Sequence, residues 1–175
     1  MTKIVIVGGV AGGMSAATRL RRLMEDAEIV VLEKGPYVSF ANCGLPYYVS
    51  GEISEREDLI VQSPQALQAR FSLDVRPEHE VVGIQPSAKT VTVKNGDRSF
   101  TESYDYLILS PGAKPFIPPI DGLKDATNVF SLRNVPDVDR IMDYVTTKKP
   151  QTATVIGAGF IGLEMAENLR KRGLD

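Results

Sequence analysis

A short β-branched run, a glycine-rich turn and a helical pattern follow one another twice in this chain, and this order constrains the fold more than any other feature. The first copy covers residues 4–24 and contains GGVAGG, and the second covers residues 153–172 and contains GAGFIG. A strand that enters a helix through glycines starts a βαβ unit, whose helix N-terminus attracts phosphates. The sequence therefore predicts an α/β fold with two Rossmann-like dinucleotide-binding units.

The second turn has the regular G-x-G-x-x-G spacing, with glycines at Gly157, Gly159 and Gly162. The first glycine makes the turn, the second lets the backbone approach a pyrophosphate, and the third lets the helix pack closely on the strand. The residue that distinguishes NAD from NADP would follow Asp175, so the choice between NADH and NADPH stays open.

The first turn is less regular, because Gly8 and Gly13 hold the outer positions while Val10 stands at the middle one. Gly9 and Gly12 are the candidates for the missing close approach to a phosphate. The helix that follows is predicted from Met14 to Met24 by apolar residues at helical spacing.

Glu33 ends the second predicted strand, AEIVVLEK. At this position a carboxylate accepts hydrogen bonds from a ribose, although a solvated charge at a strand end is the alternative interpretation. Two such units in one chain suggest two nucleotides, one a fixed flavin and one a mobile nicotinamide.

Further elements are predicted between the two copies. They are a helix capped by Ser63, antiparallel strands joined at Asn95-Gly96, a strand YDYLILS, and a helix capped by Asn134. The chain stops where the second unit should begin its next strand, so we expect an N-terminal fragment. Its predicted domains are 1–148, with a parallel sheet plus an antiparallel β-meander, and 149–175, which is only the beginning of a second domain.

Charge and cysteine usage exclude several classes of protein. The net charge of −2 implies no general attraction to nucleic acid or to an anionic membrane, and the apolar runs are too short to cross a bilayer. Cys43 is the only cysteine, so no internal disulfide can form, and a reduced thiol predicts a cytoplasmic protein. No metal site is predicted.

Five stretches together carry a family resemblance: VGGVAGGMSAA, LEKGPYVSFANCGLPYYVSG, ESYDYLILSPGAKP, SLRNVPDVD and IGAGFIGLE. With them the chain resembles the N-terminal part of a pyridine nucleotide–disulfide oxidoreductase. More narrowly, it is similar to the single-cysteine branch, which contains coenzyme A-disulfide reductases, NADH-dependent persulfide reductases, and NADH oxidases and peroxidases. SFANCGLPY is the most specific of the matching pieces.

The resemblance implies an oxidoreductase, homodimeric at full length, whose first domain binds FAD and whose second binds NADH or NADPH. Glu33 would hold the adenosine ribose, Val81 would lie by the adenine, and Ser110 and Gly112 would lie near the flavin. Lys34 would reach the flavin ribose or stay in solvent. The cofactor-binding positions are Gly8, Gly9, Val10, Ala11, Gly12, Gly13, Glu33, Lys34, Asn42, Val81, Ser110, Gly112, Arg133, Gly157, Gly159 and Gly162.

Cys43 is the predicted catalytic residue. Relatives with two cysteines use C-x-x-x-x-C, and the second position of that motif falls on Tyr48. The oxidised sulfur must therefore be a sulfenic acid, as the resemblance implies for oxidases and peroxidases, or a mixed disulfide, as it implies for coenzyme A-disulfide reductases. A helix N-terminus at residues 42–45 is a candidate to stabilise the thiolate.

Two features favour the coenzyme A chemistry. The histidine that peroxidases carry in the first glycine turn would fall on Ala11, and the only histidine, His79, is far away in sequence. Arginine suits the phosphates of coenzyme A, because it binds them with charge-assisted and often bidentate hydrogen bonds. The substrate-binding positions lie on one face of the first helix or flank the cysteine: Ser15, Arg19, Arg22, Ser39 and Asn42.

The physiological substrate stays open at this point. Phe71 stands where some coenzyme A-disulfide reductases have a lysine that helps to bind coenzyme A. Coenzyme A disulfide, coenzyme A persulfide and other low-molecular-weight persulfides therefore all remain candidates. The alternatives are a water-forming NADH oxidase and a non-catalytic redox-sensing flavoprotein module. The 175-residue chain by itself is expected to show no steady NADH turnover.

Overall fold

The computed structural model of the protein describes residues 1–123 and 125–175. Contacts between residues divide the chain into two units. The first consists of Met1–Phe40 and Ile60–Gly112, and the second of Ala41–Leu59 and Ala113–Asp175. The domain boundary predicted between residues 148 and 149 lies inside the second unit and stays a prediction.

Strands and helices alternate at the start of the chain, a run of strands without an α-helix fills its middle, and two helices come last. The strands are β1 (Lys3–Val7), β2 (Glu28–Leu32), β3 (Asp74–Arg76), β4 (Glu80–Gln85), β5 (Thr90–Asn95), β6 (Arg98–Ser103) and β7 (Tyr106–Leu109). The helices are α1 (Ala11–Leu23), α2 (Leu45–Ser50), α3 (Pro64–Phe71), α4 (Val135–Lys148) and α5 (Phe160–Lys171). Short 3₁₀ helices cover Asn42–Gly44, Arg56–Leu59 and Pro86–Ala88.

A four-stranded parallel sheet with the order β3-β2-β1-β7 is the centre of the first unit. Its central strands, β1 and β2, are nearly continuous runs of buried aliphatic residues, as expected where a parallel sheet is covered on both faces. Ile4, Ile6 and Ile29 belong to one core cluster with Met14 of α1 and Leu67 of α3. The two helices therefore cover one face of the sheet.

The antiparallel meander β4-β5-β6 covers the opposite face. Val91 and Val93 of β5 are fully buried in a second cluster with Val5, Val30 and Leu32. The parallel sheet and the meander confirm the predicted fold class. No helix in the described part of the chain has the length and apolar character needed to span a membrane.

In the second unit, the short helix α2 lies against α4 and α5. Asn134 caps α4 as predicted, because its side chain accepts a hydrogen bond from the Asp137 amide at 2.9 Å. The Asp137 carboxylate in turn accepts from the Asn134 amide, which completes a capping box.

Three local predictions have clear outcomes. Ser63 caps α3, since its Oγ accepts from the Ala66 amide at 3.1 Å, which confirms that prediction. The hairpin forms, but Asn95 is still paired with Arg98, so the two-residue turn is Gly96-Asp97 and not Asn95-Gly96. α1 begins earlier than predicted, at Ala11.

The strand predicted before the second glycine turn is wrong for this chain. Residues 152–157 have no strand assignment, and Ala153 hydrogen-bonds only at the chain end, where its amide donates to the Asp175 carbonyl at 2.8 Å. A strand exists only as part of a hydrogen-bonded ladder, and the described residues supply no ladder here.

Candidate functional site

The first glycine turn is shaped by contacts that leave no room for side chains. Gly8 follows β1 with φ of +100°, and a Cβ built on it would lie 2.0 Å from the Ser110 carbonyl oxygen. A Cβ on Gly13 would lie 1.7 Å from the Gly8 carbonyl oxygen. The outer glycines are therefore required by the packing of the turn against α1 and against the end of β7.

Gly9 and Gly12, the two candidates for close approach, have different surroundings. Gly9 is buried, and a Cβ there would lie 2.9 Å from Cβ of Glu33 and 2.9 Å from Cγ1 of Val38. Gly12 is exposed, and its nearest neighbour would be the Ser110 Oγ at 3.4 Å. Gly12 is therefore the glycine that keeps the outer side of the turn open.

The N-terminus of α1 is available to an anion. Val10 is the N-cap residue and makes no side-chain cap, and the next two residues, Ala11 and Gly12, are exposed. The first amides of a helix have no intrahelical partners and carry the positive end of the helix dipole. The arrangement fits a dinucleotide pyrophosphate, because the open side at Gly12 gives access to these amides.

Glu33 holds the turn in place with both carboxylate oxygens. Its Oε2 accepts from the Gly9 amide at 2.7 Å, and its Oε1 accepts from the Gly35 amide at 2.7 Å. A carboxylate has about four lone-pair positions, so about two remain for the hydroxyls of a ribose. The predicted ribose contact is compatible with this geometry and stays a prediction.

Ser39 and Ser110 also border the first turn. The Ser39 amide donates to the Gly9 carbonyl at 2.9 Å, although Ser39 itself has a left-handed backbone with φ of +47°. Ser110 follows β7, and its amide donates to the Val7 carbonyl at 2.7 Å. These residues and the glycine turn thus gather at the carboxyl ends of β1 and β7, where open α/β sheets bind ligands.

The remaining first-unit predictions are less directly constrained. Val81 of β4 packs against the cluster under the meander, Lys34 is exposed, and Gly112 has φ of +69° just after Ser110. The predicted substrate positions on α1 are all exposed: Ser15, Arg19 and Arg22. Their roles toward a ligand stay predictions.

Cys43 is exposed and sits in the 3₁₀ turn Asn42–Gly44, directly before α2. The residue after it is tightly packed, since a Cβ on Gly44 would lie 3.1 Å from Ile53 Cδ1 and 3.3 Å from Leu59 Cδ2. The predicted helical turn after the cysteine is therefore present. Its backbone is held by the Gly44 amide, which donates to the Ala41 carbonyl at 2.9 Å.

Asn42, beside the cysteine, carries a buried polar atom. Its Oδ1 is buried and has no hydrogen-bond partner among the residues that the structure describes. Buried amide oxygens are rarely left without a donor, so this atom is a candidate to accept from a ligand. Asn42 and Cys43 belong to the second unit, and the glycine turn belongs to the first. That they share one site stays a prediction.

Arg133 lies just before α4 in the second unit. Its Nε donates to the Ala113 carbonyl at 3.1 Å, and its amide donates to Asp137 Oδ2 at 2.9 Å. These contacts tie the residue to the start of α4 and to the segment after β7. Its predicted contact with a cofactor stays a prediction.

The second glycine turn repeats the geometry of the first. Gly157 has φ of +109°, and a Cβ on Gly162 would lie 2.0 Å from the Gly157 carbonyl oxygen. Gly159 is the N-cap of α5, and a Cβ there would meet nothing within 4 Å. Each glycine therefore has the space or the dihedral angle that its predicted role requires, while the contacts with a nucleotide stay predictions.

One contributor to the first turn was missed from the sequence. Val38, 2% exposed, packs under Gly9 and explains why a second consecutive glycine follows Gly8. The one signal in the sequence that could have indicated the role of Val38 is its apolar side chain within the loop segment KGPYVS. Among the described residues, no group of three or more His, Cys, Asp or Glu side chains could hold a metal ion.

The family model described as pyridine nucleotide-disulphide oxidoreductase matches residues 2–175, which is nearly the whole chain. The coenzyme A disulfide reductase of Staphylococcus epidermidis is 43% identical over 178 aligned residues. That alignment covers 100% of this chain and 40% of the relative. The chain therefore spans well under half the length of the curated relatives that it matches.

Two solved structures resemble the chain over 99% of its length. One, described as reduced CoADR-RHD from Bacillus anthracis, is 58% identical with a TM-score of 0.97, and the match covers 31% of it. The other is a NAD-dependent persulfide reductase from A. fulgidus, 37% identical with a TM-score of 0.94, and 33% of it is covered. Both have the backbone arrangement described above.

Proposed function

The chain belongs to the pyridine nucleotide-disulphide oxidoreductase family, as its sequence resemblance predicted. On this premise we propose that the whole protein is an FAD-dependent NAD(P)H oxidoreductase. It reduces coenzyme A disulfide, or persulfides of coenzyme A and other small thiols, through Cys43. The observation that carries this proposal is the exposed Cys43, the only cysteine of the chain, in its tight turn before α2.

The first glycine turn is the proposed FAD site. The uncapped N-terminus of α1 receives the pyrophosphate, Gly12 gives it room, and the free lone pairs of Glu33 accept from the ribose. When bound, FAD transfers an electron pair from NAD(P)H to sulfur. The second glycine turn, at the start of α5, holds the nicotinamide dinucleotide in this proposal.

Cys43 carries out the sulfur chemistry. Its thiolate attacks one sulfur of the substrate disulfide, forms a mixed disulfide, and expels the other half as a thiolate. Two electrons, which NAD(P)H would supply by way of FAD, then cleave the mixed disulfide into the Cys43 thiolate and a second thiolate, which leaves and takes a proton from water. A single cysteine is sufficient, because the substrate supplies the second sulfur that a partner cysteine supplies in two-cysteine relatives.

The names of the similar proteins support the choice of substrate. One is called a coenzyme A disulfide reductase and another a persulfide reductase. The exposed side chains of Arg19 and Arg22 on α1 provide cations that suit the phosphates of coenzyme A. We further propose that the whole protein works as a homodimer in the cytoplasm, where a free thiol stays reduced.

Cys43→Ser in the full-length protein tests the proposal. We expect NADH-dependent reduction of coenzyme A disulfide and of coenzyme A persulfide to fall to background, because the hydroxyl cannot form the mixed disulfide. The FAD content, measured by absorbance, should stay equal to that of the wild type. Undiminished turnover would remove Cys43 from the mechanism.

Mass spectrometry of the intact, unreduced protein separates the two forms of oxidised sulfur. We expect an adduct with the mass of coenzyme A on Cys43. One added oxygen, together with oxygen uptake in the absence of a disulfide, would instead identify an NADH oxidase. Oxidation of Cys43 without steady turnover would identify a redox-sensing flavoprotein.

A further inference from the structure

The stretch that carries Cys43, residues 41–59, begins and ends at residues that are hydrogen-bonded to each other. The Ala41 amide donates to the Leu59 carbonyl at 2.8 Å, so the two ends of the stretch meet. Between them lie the 3₁₀ turn with Cys43, the helix α2, and a second 3₁₀ helix, Arg56–Leu59. The position of the sulfur within this unit therefore depends on what holds the stretch against the neighbouring helices.

One bidentate ion pair joins the stretch to α4. Arg56 Nε donates to Asp139 Oδ1 at 2.7 Å, and Arg56 Nη2 lies 2.6 Å from Asp139 Oδ2. The side chains are 29% and 35% exposed, so the pair is partly shielded from water. A fork of two parallel hydrogen bonds fixes direction as well as distance, which a single contact between charges does not.

A second ion pair joins the same stretch to α5, but its two side chains are more exposed to water. Lys171 Nζ lies 2.6 Å from Glu52 Oε1, but both side chains are more than 40% exposed. Lys171 Nζ also lies 2.9 Å from Glu167 Oε1 of its own helix, so this ammonium group contacts two carboxylates at once. Exposed pairs of this type contribute little, because water screens the charges and the long side chains stay mobile, so we assign the main directional role to Arg56 and Asp139.

We propose that Arg56 and Asp139 are positioning residues for Cys43, and this rests on the proposed role of Cys43. The pair links the 3₁₀ helix Arg56–Leu59 to α4, and Leu59 holds Ala41 at the start of the Cys43 turn. The pair thereby fixes the direction in which the turn presents its sulfur. In this proposal both residues act through the backbone that runs from Leu59 to Ala41 and on to Cys43.

The test compares Arg56→Gln and Asp139→Asn with the matched control Arg140→Gln in the full-length holoenzyme. Arg140 pairs with Asp137 on its own helix, and its side chain is 66% exposed. We expect a fall in kcat of about 100-fold for Arg56→Gln, since a misplacement of about 1 Å costs that much. KM for coenzyme A disulfide should change less than about threefold, and Arg140→Gln should match the wild type.

Amide hydrogen exchange followed by mass spectrometry provides the second readout. Exchange in Arg56→Gln should accelerate within residues 41–59 and stay unchanged in β1 and β2, which separates lost positioning from general unfolding. The double variant Arg56→Asp/Asp139→Arg, which swaps the two charges, should recover part of the lost kcat and part of the lost protection against hydrogen exchange. If Arg56→Gln does not fold, Arg56→Lys replaces it in the test, because lysine keeps the positive charge but cannot make the two parallel hydrogen bonds to Asp139.

Unchanged exchange in residues 41–59, or a kcat equal to that of Arg140→Gln, would overturn the proposal. A wild-type protein that reduces neither coenzyme A disulfide nor persulfide would refute the proposed function instead. In that case hydrogen exchange alone would still decide whether the ion pair orders the stretch.

Discussion

At the scale of single residues, the first turn separates glycines that the fold requires from Gly12, which only the proposed FAD site would require. A Cβ on Gly13 would overlap the Gly8 carbonyl oxygen at 1.7 Å, whereas a Cβ on Gly12 would meet its nearest atom at 3.4 Å. The first contact involves backbone that cannot move without shifting α1. The second faces the open side of the turn.

Gly13→Ala and Gly12→Ala should therefore fail differently. We expect Gly13→Ala to lower the free energy of unfolding by about 3 kcal/mol or more, through overpacking against backbone. Gly12→Ala should keep stability within about 1 kcal/mol, since alanine favours a helix, but should weaken FAD binding at least about tenfold. Urea unfolding and FAD titration measure the two effects, and equal stability losses would contradict the distinction.

The sequence predicted the glycine positions well because spacing alone fixes them. It could not tell Gly9 from Gly12, because the difference depends on Val38 and Glu33, which reach the turn only through tertiary packing. The sequence predicts a ribose contact for Glu33, with a solvated strand-end charge as the alternative, but it does not indicate the hydrogen bonds of Glu33 to the Gly9 and Gly35 amides. Such side chain to backbone bonds carry no sequence signature.

At the scale of elements, one carboxylate joins the meander to the parallel sheet. Glu102 of β6 is 9% exposed and contacts Lys3 of β1 at 2.7 Å and Arg76 of β3 at 2.5 Å. Burial alone would raise the pKa of Glu102, but hydrogen bonds from Lys3 and Arg76 outweigh it and hold the pKa below the usual value. The pKa of Lys3 is raised, chiefly by its hydrogen bond to Glu102.

The lowered pKa makes the stability of the first unit depend on pH in a defined direction. The unfolded chain binds a proton at Glu102 more readily than the folded chain does, so the stabilisation is present above the usual pKa of 4.5. It is lost as the pH falls through the lower pKa of the folded state. Glu102 therefore contributes stability at neutral pH and little in strong acid.

Glu102→Gln should lower the free energy of unfolding by about 1–3 kcal/mol at pH 7, the range for a lost charged hydrogen-bond partner. The difference from the wild type should shrink as the pH falls below 4.5, where the unfolded chain begins to bind a proton at Glu102, and should vanish below the lower pKa of the folded state. Urea unfolding between pH 3 and 7 measures this. Glu28→Gln is the control, because Glu28 contacts Lys3 alone in this network and is 39% exposed. A pH-independent difference would contradict the assignment.

Most elements followed from local sequence, and the exceptions have physical reasons. Ser63 and Asn134 act as caps through their own side chains, so the sequence identifies them directly. The three-residue strand β3 was missed, because its pairing with β2 is its main structural support and cannot be seen locally. The strand expected at residues 153–157 is absent for the opposite reason. Its local sequence pattern is typical of a strand, but the described residues supply no neighbouring strand to pair with it.

At the scale of the whole molecule, the same turn geometry occurs once in each unit. A Cβ on Gly162 would lie 2.0 Å from the Gly157 carbonyl, just as one on Gly13 would approach Gly8. The proposed FAD turn belongs to the first unit, and the proposed nicotinamide turn belongs to the second. The two cofactor sites should therefore be separable by mutation.

Gly162→Ala in the full-length protein should abolish measurable NADH binding while leaving the FAD content unchanged, because its steric conflict is confined to the second turn. Gly12→Ala should show the reciprocal weakening of FAD binding with NADH binding unchanged. Flavin absorbance of the purified protein and titration with NAD⁺ provide the two readouts. Loss of FAD from Gly162→Ala would contradict the independence of the turns.

The antiparallel bridge between Phe40 and Ile60 has a practical consequence. The chain leaves the first unit at one of these residues and returns at the other, so the two ends of the intervening segment are paired with each other. We expect a segment from another family member to be accepted between them when it also replaces the contacts that α2 makes with α4 and α5. Such an exchange would test whether this one contiguous segment sets the electron acceptor of the proposed oxidoreductase.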